Sequence, residues 1–219
     1  MGLNQYVKAS VPEPYTILGL RLRPFALGHF LLMRRFGCAY AEDRERAMSN
    51  PSDLIKDFIM ALVICSLTYE DFLEAISSDK LVVSSKRFKW FGAEVQRVVS
   101  FRKWLAHWGK VVSKASQWKD FVVLDKLALF RAYLNDGMEV PLFWEGDANE
   151  DAPTSGAHWT QSVLLVLTGE LGYTQSEALN APLSKALADY FRFAERNGLV
   201  TLMTDEEVEE AQAQLKGKA

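Results

Sequence analysis

The feature that most constrains the fold is a break in a helical pattern, Asn180-Ala181-Pro182, within LGYTQSEALNAPLSKALADYF. Proline suits the first turn of a helix, where its missing N–H is not needed and its fixed φ is already helical. The break therefore predicts a short helix ending near Leu179 and a longer one from Pro182 to Asn197, which Gly198 ends. Asn180 is a candidate cap for the longer helix.

This turn would let the last long helix pack back against an earlier one. An apolar helix is predicted from about Trp159 to Gly172, and Thr174 can cap the short helix that follows it. Thr204, followed by Glu207, forms a capping box and predicts a short acidic helix through about Leu215. The apolar face of the long helix recurs at steps of three and four residues and comprises Leu183, Ala186, Leu187, Tyr190 and Ala194.

The amino-terminal part reads as one short strand followed by helices. Residues 15–23 alternate between apolar and other residues, which predicts a half-buried strand ended by Pro24. A helix is predicted over 26–36 and is ended by Gly37. Further helices are predicted over 54–65, from a Thr68 cap to Ile76, and over 117–134.

A strongly basic segment lies between Lys80 and Lys119, with ten Lys or Arg residues and one acidic residue, Glu94. Apolar residues recur there at steps of three and four from Phe88 to Val112, which predicts one amphipathic helix of about seven turns. A possible basic surface on it comprises Lys86, Arg87, Lys89, Arg102 and Lys103.

Two interpretations of this basic face are open. Lys and Arg solvate long helices and cover apolar surface with their methylene stems, so we expect a solvated or protein-facing surface and regard nucleic acid as an unlikely partner. The alternative is a nucleic-acid surface, since cationic side chains neutralise phosphates and aromatic rings stack on bases. Trp90, Trp104 and Trp118 are interleaved with the basic residues.

Residues 139–157 carry five acidic residues, two prolines and two glycines, a composition typical of an exposed linker. We therefore expect a region 1–138 that includes the long basic helix, an acidic linker 139–157, and a helical region 158–219.

Motifs for chemistry are absent from the sequence. His29, His107 and His158 lie on separate segments without metal-ligand spacing, and no nucleophile or phosphate-loop motif occurs. We expect a protein that is not an enzyme, with no catalytic residue, metal or cofactor. Cys38 and Cys65 lie in apolar runs, which favours buried, reduced thiols and a cytoplasmic location. The longest apolar runs are shorter than the roughly 20 residues that span a membrane.

Two segments carry a resemblance to a known family. LLVLTGELGYTQSEALNAPLSKALADYFRFAERNG resembles a segment of bacteriophage tail assembly chaperones, in which a helix ends in Leu-Gly and a Pro-led helix follows a short polar one. ILGLRLRPFALGHFLLMRRFG is similar to the start of small tail-associated proteins of phages and prophages.

The resemblance implies a factor that binds and shields the tape-measure protein in the host cytoplasm and helps to recruit tail-tube subunits. Together with the patterns above, it leads us to expect a mostly α protein, a multi-helix bundle with a short amino-terminal β element. Aromatic anchors often dominate interfaces, so Tyr173, Phe191 and Phe193 are the candidate partner contacts. A structural virion component, such as a connector or tail-completion protein, and a nucleic-acid-binding accessory protein are the alternatives. The oligomeric state is left open.

Overall fold

A computed structural model describes residues 15–18, 20–42, 51–90, 93–107, 110, 121–138, 140–144, 158–204, 206–208, 210 and 213. The protein is mostly helical with small two-stranded sheets, as the sequence predicts. The helices are α1 Leu27–Arg35, α2 Ala39–Glu42, α3 Pro51–Ser66, α4 Tyr69–Ser78, α5 101–107, α6 Phe121–Gly137, α7 Trp159–Leu165 with a π-helical turn Val166–Glu170, α8 Gln175–Asn180 and α9 Leu183–Arg196. The strands are β1 Thr16–Ile17, β2 Leu20–Arg21, β3 Lys80–Trp90, β4 Ala93–Ser100, β5 Phe143–Trp144 and β6 Thr201–Leu202.

The amino-terminal strand element is a tight hairpin and not the single strand predicted over 15–23. β1 pairs antiparallel with β2, and Leu18 between them has a φ of 50°. A positive φ lets a short connection reverse the chain between two strands. The hairpin is anchored by Ile17, which is fully buried in the core.

Local capping signals place the helix ends where the sequence predicts them. Gly37, at a φ of 62°, follows α1, and the N–H of Cys38 donates to the carbonyl of Met33 at 2.8 Å. This is the hydrogen bond of a Schellman ending. The Thr68 hydroxyl accepts from the Asp71 N–H at 3.0 Å and caps α4, so that prediction is confirmed.

The long basic helix predicted from Phe88 to Val112 is wrong, because the described residues of that stretch up to Ser100 lie in the antiparallel hairpin β3–β4. Its register pairs Leu81 with Val99 and Val82 with Val98. β-branched residues lose side-chain freedom in helices and pack well in strands, and they are frequent on both arms of this hairpin. Over a few residues, the spacing of apolar side chains can fit the helical period of 3.6 residues as well as the strand period of 2. The sequence pattern therefore suggested a helix here. Only 101–107 and residue 110 are helical among the described residues of that range.

The two ends of the chain share one hydrophobic core, so the predicted linker does not separate two cores. The core includes Leu62 of α3, Phe130 of α6 and Leu183 of α9. Backbone bonds join the same regions: the Leu183 N–H donates to the Phe25 carbonyl at 2.6 Å. Within the predicted linker, Phe143 of β5 pairs with Leu202 of β6. Residues 145–157 lie outside the described residues.

The break at Asn180-Ala181-Pro182 is observed, but its hydrogen bonds differ from the prediction. Asn180 does not cap α9; its side-chain oxygen accepts from the Tyr69 N–H at 3.0 Å, and its side-chain nitrogen donates to Glu70 at 2.7 Å. Pro182 itself takes the cap position of α9, with extended backbone. The turn therefore ties α8 to the start of α4, which fixes the direction in which α9 returns to the core.

Both cysteines are free and buried, as predicted, and the Cys38 thiol donates to the Asp57 carbonyl at 3.7 Å. Burial raises the pKa of the Cys65 thiol far above its usual range. Among the described residues, no helix is long and apolar enough to cross a membrane.

The contact between α1 and α8 depends on Gly28. A Cβ at this position would lie 2.7 Å from the Leu179 carbonyl oxygen and 3.1 Å from the Tyr69 Cβ. We expect Gly28→Ala to lower the free energy of unfolding by about 2 kcal/mol, because overpacking outweighs the better helix propensity of alanine. Urea unfolding measures this change. Gly169→Ala is the control, since nothing lies within 4 Å of its added Cβ; equal stability of the two variants would contradict the close approach.

Candidate functional site

An apolar groove of about 410 Å³ lies where the end of α6, α7 and α9 meet. Two residues that follow α6, three residues of α7 and four residues of α9 line it. The lining residues are Met138, Val140, Trp159, Ser162, Val163, Leu183, Leu187, Tyr190 and Phe191.

Helical spacing explains which residues of α9 line the groove. Leu183 and Leu187 lie one turn apart and are buried, so they connect the groove to the core. Tyr190 and Phe191 lie one turn further on and are half-buried. The groove therefore deepens toward the start of α9 and opens toward its end.

The short sheet β5–β6 supports the open end of the groove. Pairing of Phe143 with Leu202 places β5 beside α9, and the Phe143 ring stacks on Phe191 at 5.1 Å. The Phe191 ring also meets Tyr190 edge to face at 5.4 Å. These aromatic contacts fix the side of the groove that a ligand would meet first.

Apolar side chains remain exposed at the groove and on the elements that build it. Trp159 is 39% exposed and Val140 is 41% exposed, although both line the groove. Exposed apolar residues on β5, at the end of α7 and after α9 comprise Leu142, Phe143, Trp144, Leu165 and Leu199. Exposed apolar residues next to a concave apolar surface are typical of a binding site for another apolar surface.

The chemistry of the lining suits binding and offers little for catalysis. Ser162 and Tyr190 supply hydroxyls, and no charged residue occurs among the described residues that line the groove. General acid–base catalysis needs a titratable group within hydrogen-bond reach of the substrate. The groove can therefore hold an apolar ligand and orient it through one or two hydrogen bonds.

The three predicted contact residues do not form one exposed surface. Phe191 lines the groove, and Phe193 is half-buried on the following turn of α9. Tyr173 is half-buried and its hydroxyl donates to Asp189 at 2.6 Å and accepts from Lys185. Burial, and then the hydrogen bond to Asp189, raises the pKa of Tyr173. Tyr173 therefore has intramolecular partners in the fold, and the roles of Tyr173, Phe191 and Phe193 as partner contacts stay predictions.

The predicted basic surface is divided between two elements. Lys86, Arg87 and Lys89 lie on strand β3. Arg102 and Lys103 lie in the first turn of α5 and are exposed. Because the single helix does not exist, these residues do not share a helical face.

The histidines do not form a metal site among the described residues, where no group of three His, Cys, Asp or Glu side chains could hold a metal ion. His29 is buried at the start of α1. His158 caps α7, since its Nδ1 accepts from the Thr160 N–H at 3.3 Å. The rings of His29 and His158 are therefore both hydrogen-bonded within the protein.

Sequence patterns did not indicate the wall formed by Met138 and Val140. Met138 and Val140 lie at the edge of a stretch whose acidic residues, prolines and glycines indicated a linker. The available signal was the apolar and aromatic content of residues 140–144, which is unusual for an exposed linker.

No protein-family model, curated protein or solved structure matches this chain. Function is therefore inferred from the chemistry of the groove and from the resemblance of the two segments.

Proposed function

We propose that this chain is a phage tail assembly factor without enzymatic activity, which binds and shields an apolar segment of the tape-measure protein. The apolar groove between α6, α7 and α9 is the observation that carries the proposal. Its proposed occupant is one face of an amphipathic helix. No metal or cofactor takes part.

Helix-in-groove recognition explains how such a site would act as a chaperone. An amphipathic helix places its residues at i, i+3, i+4 and i+7 into an apolar groove. The volume of about 410 Å³ lies within the range of about 300–1,000 Å³ that is usual for ligand pockets. Bound in this way, the partner loses apolar surface that would otherwise cause aggregation before assembly.

Co-expression with the tape-measure protein of the same genome tests the proposal. We expect a higher soluble yield of the tape-measure protein and a complex that co-purifies, because binding removes apolar surface from solution. Phe191→Ala should weaken the complex about tenfold or more, as truncation of an aromatic anchor does. Phe193→Ala on the same helix is the matched control and should change affinity little, since Phe193 does not line the groove.

A second pair of variants separates binding from folding. Val140 lines the groove and is 41% exposed, whereas Leu199 is 72% exposed and does not line it. Val140→Asp should abolish the complex and leave thermal melting nearly unchanged, while Leu199→Asp should bind normally. If the chain co-purified with tail-tube or connector proteins and not with the tape-measure protein, the result would favour a structural virion component over the chaperone.

A further inference from the structure

The hairpin β3–β4 and the first turn of α5 form a basic arm, residues 80–103. It contains seven Lys or Arg residues and one acidic residue, Glu94, although the whole chain has a net charge of -3. The arm therefore has an excess of positive charge, although the chain as a whole is acidic. Its basic residues are Lys80, Lys86, Arg87, Lys89, Arg97, Arg102 and Lys103.

The arm is a two-stranded ribbon with an irregularity between Ser85 and Lys89. Ser85 pairs with Val95 and Lys89 pairs with Glu94, so three residues of β3 bulge out of the ladder. These are Lys86, Arg87 and Phe88, two cations followed by an aromatic residue. A bulge bends a ribbon and increases its right-handed twist.

The base of the arm is fixed to α4 by Asp79. This residue has a φ of 54°, and its carboxylate accepts from the Arg102 N–H and from the Ser100 hydroxyl, each at 2.8 Å. Phe101 is buried, with its ring 6.0 Å from Phe72 of α4. The ribbon therefore leaves the helical core at a defined position.

We propose that this basic arm binds double-stranded nucleic acid, with the ribbon in the major groove and its cations on the flanking phosphates. The major groove of B-DNA admits a two-stranded β-ribbon. The eight residues of β4 extend over about 27 Å, about three quarters of one turn of duplex. Exposed Lys80, Arg102 and Lys103 lie at the base of the same ribbon, where they add to the positive field.

The ribbon shape favours a duplex over an acidic protein surface as the partner. An acidic protein would need only the charge, whereas a duplex would also use the two-stranded form of the arm, because the major groove of B-DNA admits a β-ribbon. This inference is independent of the proposed function, because the arm and the apolar groove share no residue.

Fluorescence anisotropy with a labelled 20-base-pair duplex of arbitrary sequence tests the proposal. We expect micromolar binding at about 50 mM salt, with log K falling steeply as log salt rises, because each neutralised phosphate releases counterions. Lys86→Gln/Arg87→Gln/Lys89→Gln should weaken binding about tenfold or more and reduce the salt slope by about 2–3. Arg102→Gln/Lys103→Gln, at exposed positions, should reduce the slope by about 1–2.

The matched control is Arg21→Gln/Arg131→Gln/Arg196→Gln, which removes the same charge from exposed positions outside the arm. It should change the affinity less than about twofold, and circular dichroism should show that all variants fold. Absence of duplex binding at low salt, or equal losses in the arm and control variants, would overturn the proposal. If poly-glutamate competed as strongly as the unlabelled duplex, the proposal would also be overturned. The arm would then be assigned to an acidic protein partner.

Discussion

Leu187→Asp should lower the free energy of unfolding by about 4 kcal/mol or more, a large part of the roughly 5–15 kcal/mol by which native proteins are stable. Leu187 is 7% exposed and belongs both to the core and to the wall of the groove. A carboxylate there loses its hydration, and the described part of the groove lining contains no charged residue to pair with it. Thermal melting and urea unfolding measure the loss.

Leu165→Asp is the matched control, because Leu165 is 71% exposed on α7. This substitution should change stability by less than about 0.5 kcal/mol. Pro182→Ala should also be mild, since Pro182 precedes α9 and its replacement only restores an N–H and relaxes φ. If the Leu187→Asp variant had the same melting temperature as the wild-type protein, the packing of α9 against α7 would be refuted.

The helix ends were predictable because capping is local. Thr68 and Thr174 lie three residues before the N–H groups that they accept from, so the sequence alone contains both partners. Gly37 and Gly198 adopt positive φ at helix ends, where glycine has no Cβ to clash. Signals that span four residues do not depend on the rest of the fold.

The basic arm could not be predicted by the same means, because its ladder joins residues far apart in the sequence. Lys80 pairs with Ser100, and the bulge after Ser85 shifts the alternation that would have indicated a strand. Steps of three and four then continue into α5, which is helical. The helical interpretation was correct for 101–107 and wrong for the strands before it.

Residue type identified one residue that lines the groove, but it does not show which aromatic side chains already have partners within the fold. Phe191 was chosen as an aromatic anchor and lines the groove. Tyr173 was chosen on the same grounds, but its hydroxyl is engaged by Asp189. Whether an aromatic residue is available to a partner depends on its tertiary neighbours, and Asp189 lies on α9, whereas Tyr173 lies in the connection before α8.

Acidification should destabilise the protein through His29, which is buried between α1 and the end of α3. Its Nδ1 accepts from the Ala26 N–H at 3.1 Å, and its Nε2–H donates to the Leu67 carbonyl at 2.8 Å. A second proton would have to sit on Nδ1, facing the Ala26 N–H. Burial lowers the pKa of His29 to about 4, the Leu67 carbonyl opposes this, and the charge of Arg23 adds to it.

The lowered pKa fixes the sign and the pH window of the effect. Between about pH 6.5 and about pH 4 the unfolded chain binds a proton at His29 and the folded protein does not. The stabilising contribution of neutral His29 is therefore complete above pH 6.5 and is lost as the pH falls to about 4. From this shift the loss is about 3 kcal/mol. Urea unfolding at a series of pH values measures it.

Two asparagine variants isolate the contribution of His29. His29→Asn keeps a side-chain acceptor near the Ala26 N–H and cannot titrate, so the difference from wild type should shrink as the pH falls from 6.5 to 4. His158→Asn is the control at a half-buried histidine and should leave most of the pH dependence in place, because the burial, the Leu67 carbonyl and the charge of Arg23 that shift the pKa of His29 all remain. A midpoint near pH 6.5 in an NMR titration of His29 would show that the imidazole protonates without opening the fold, and would contradict the prediction.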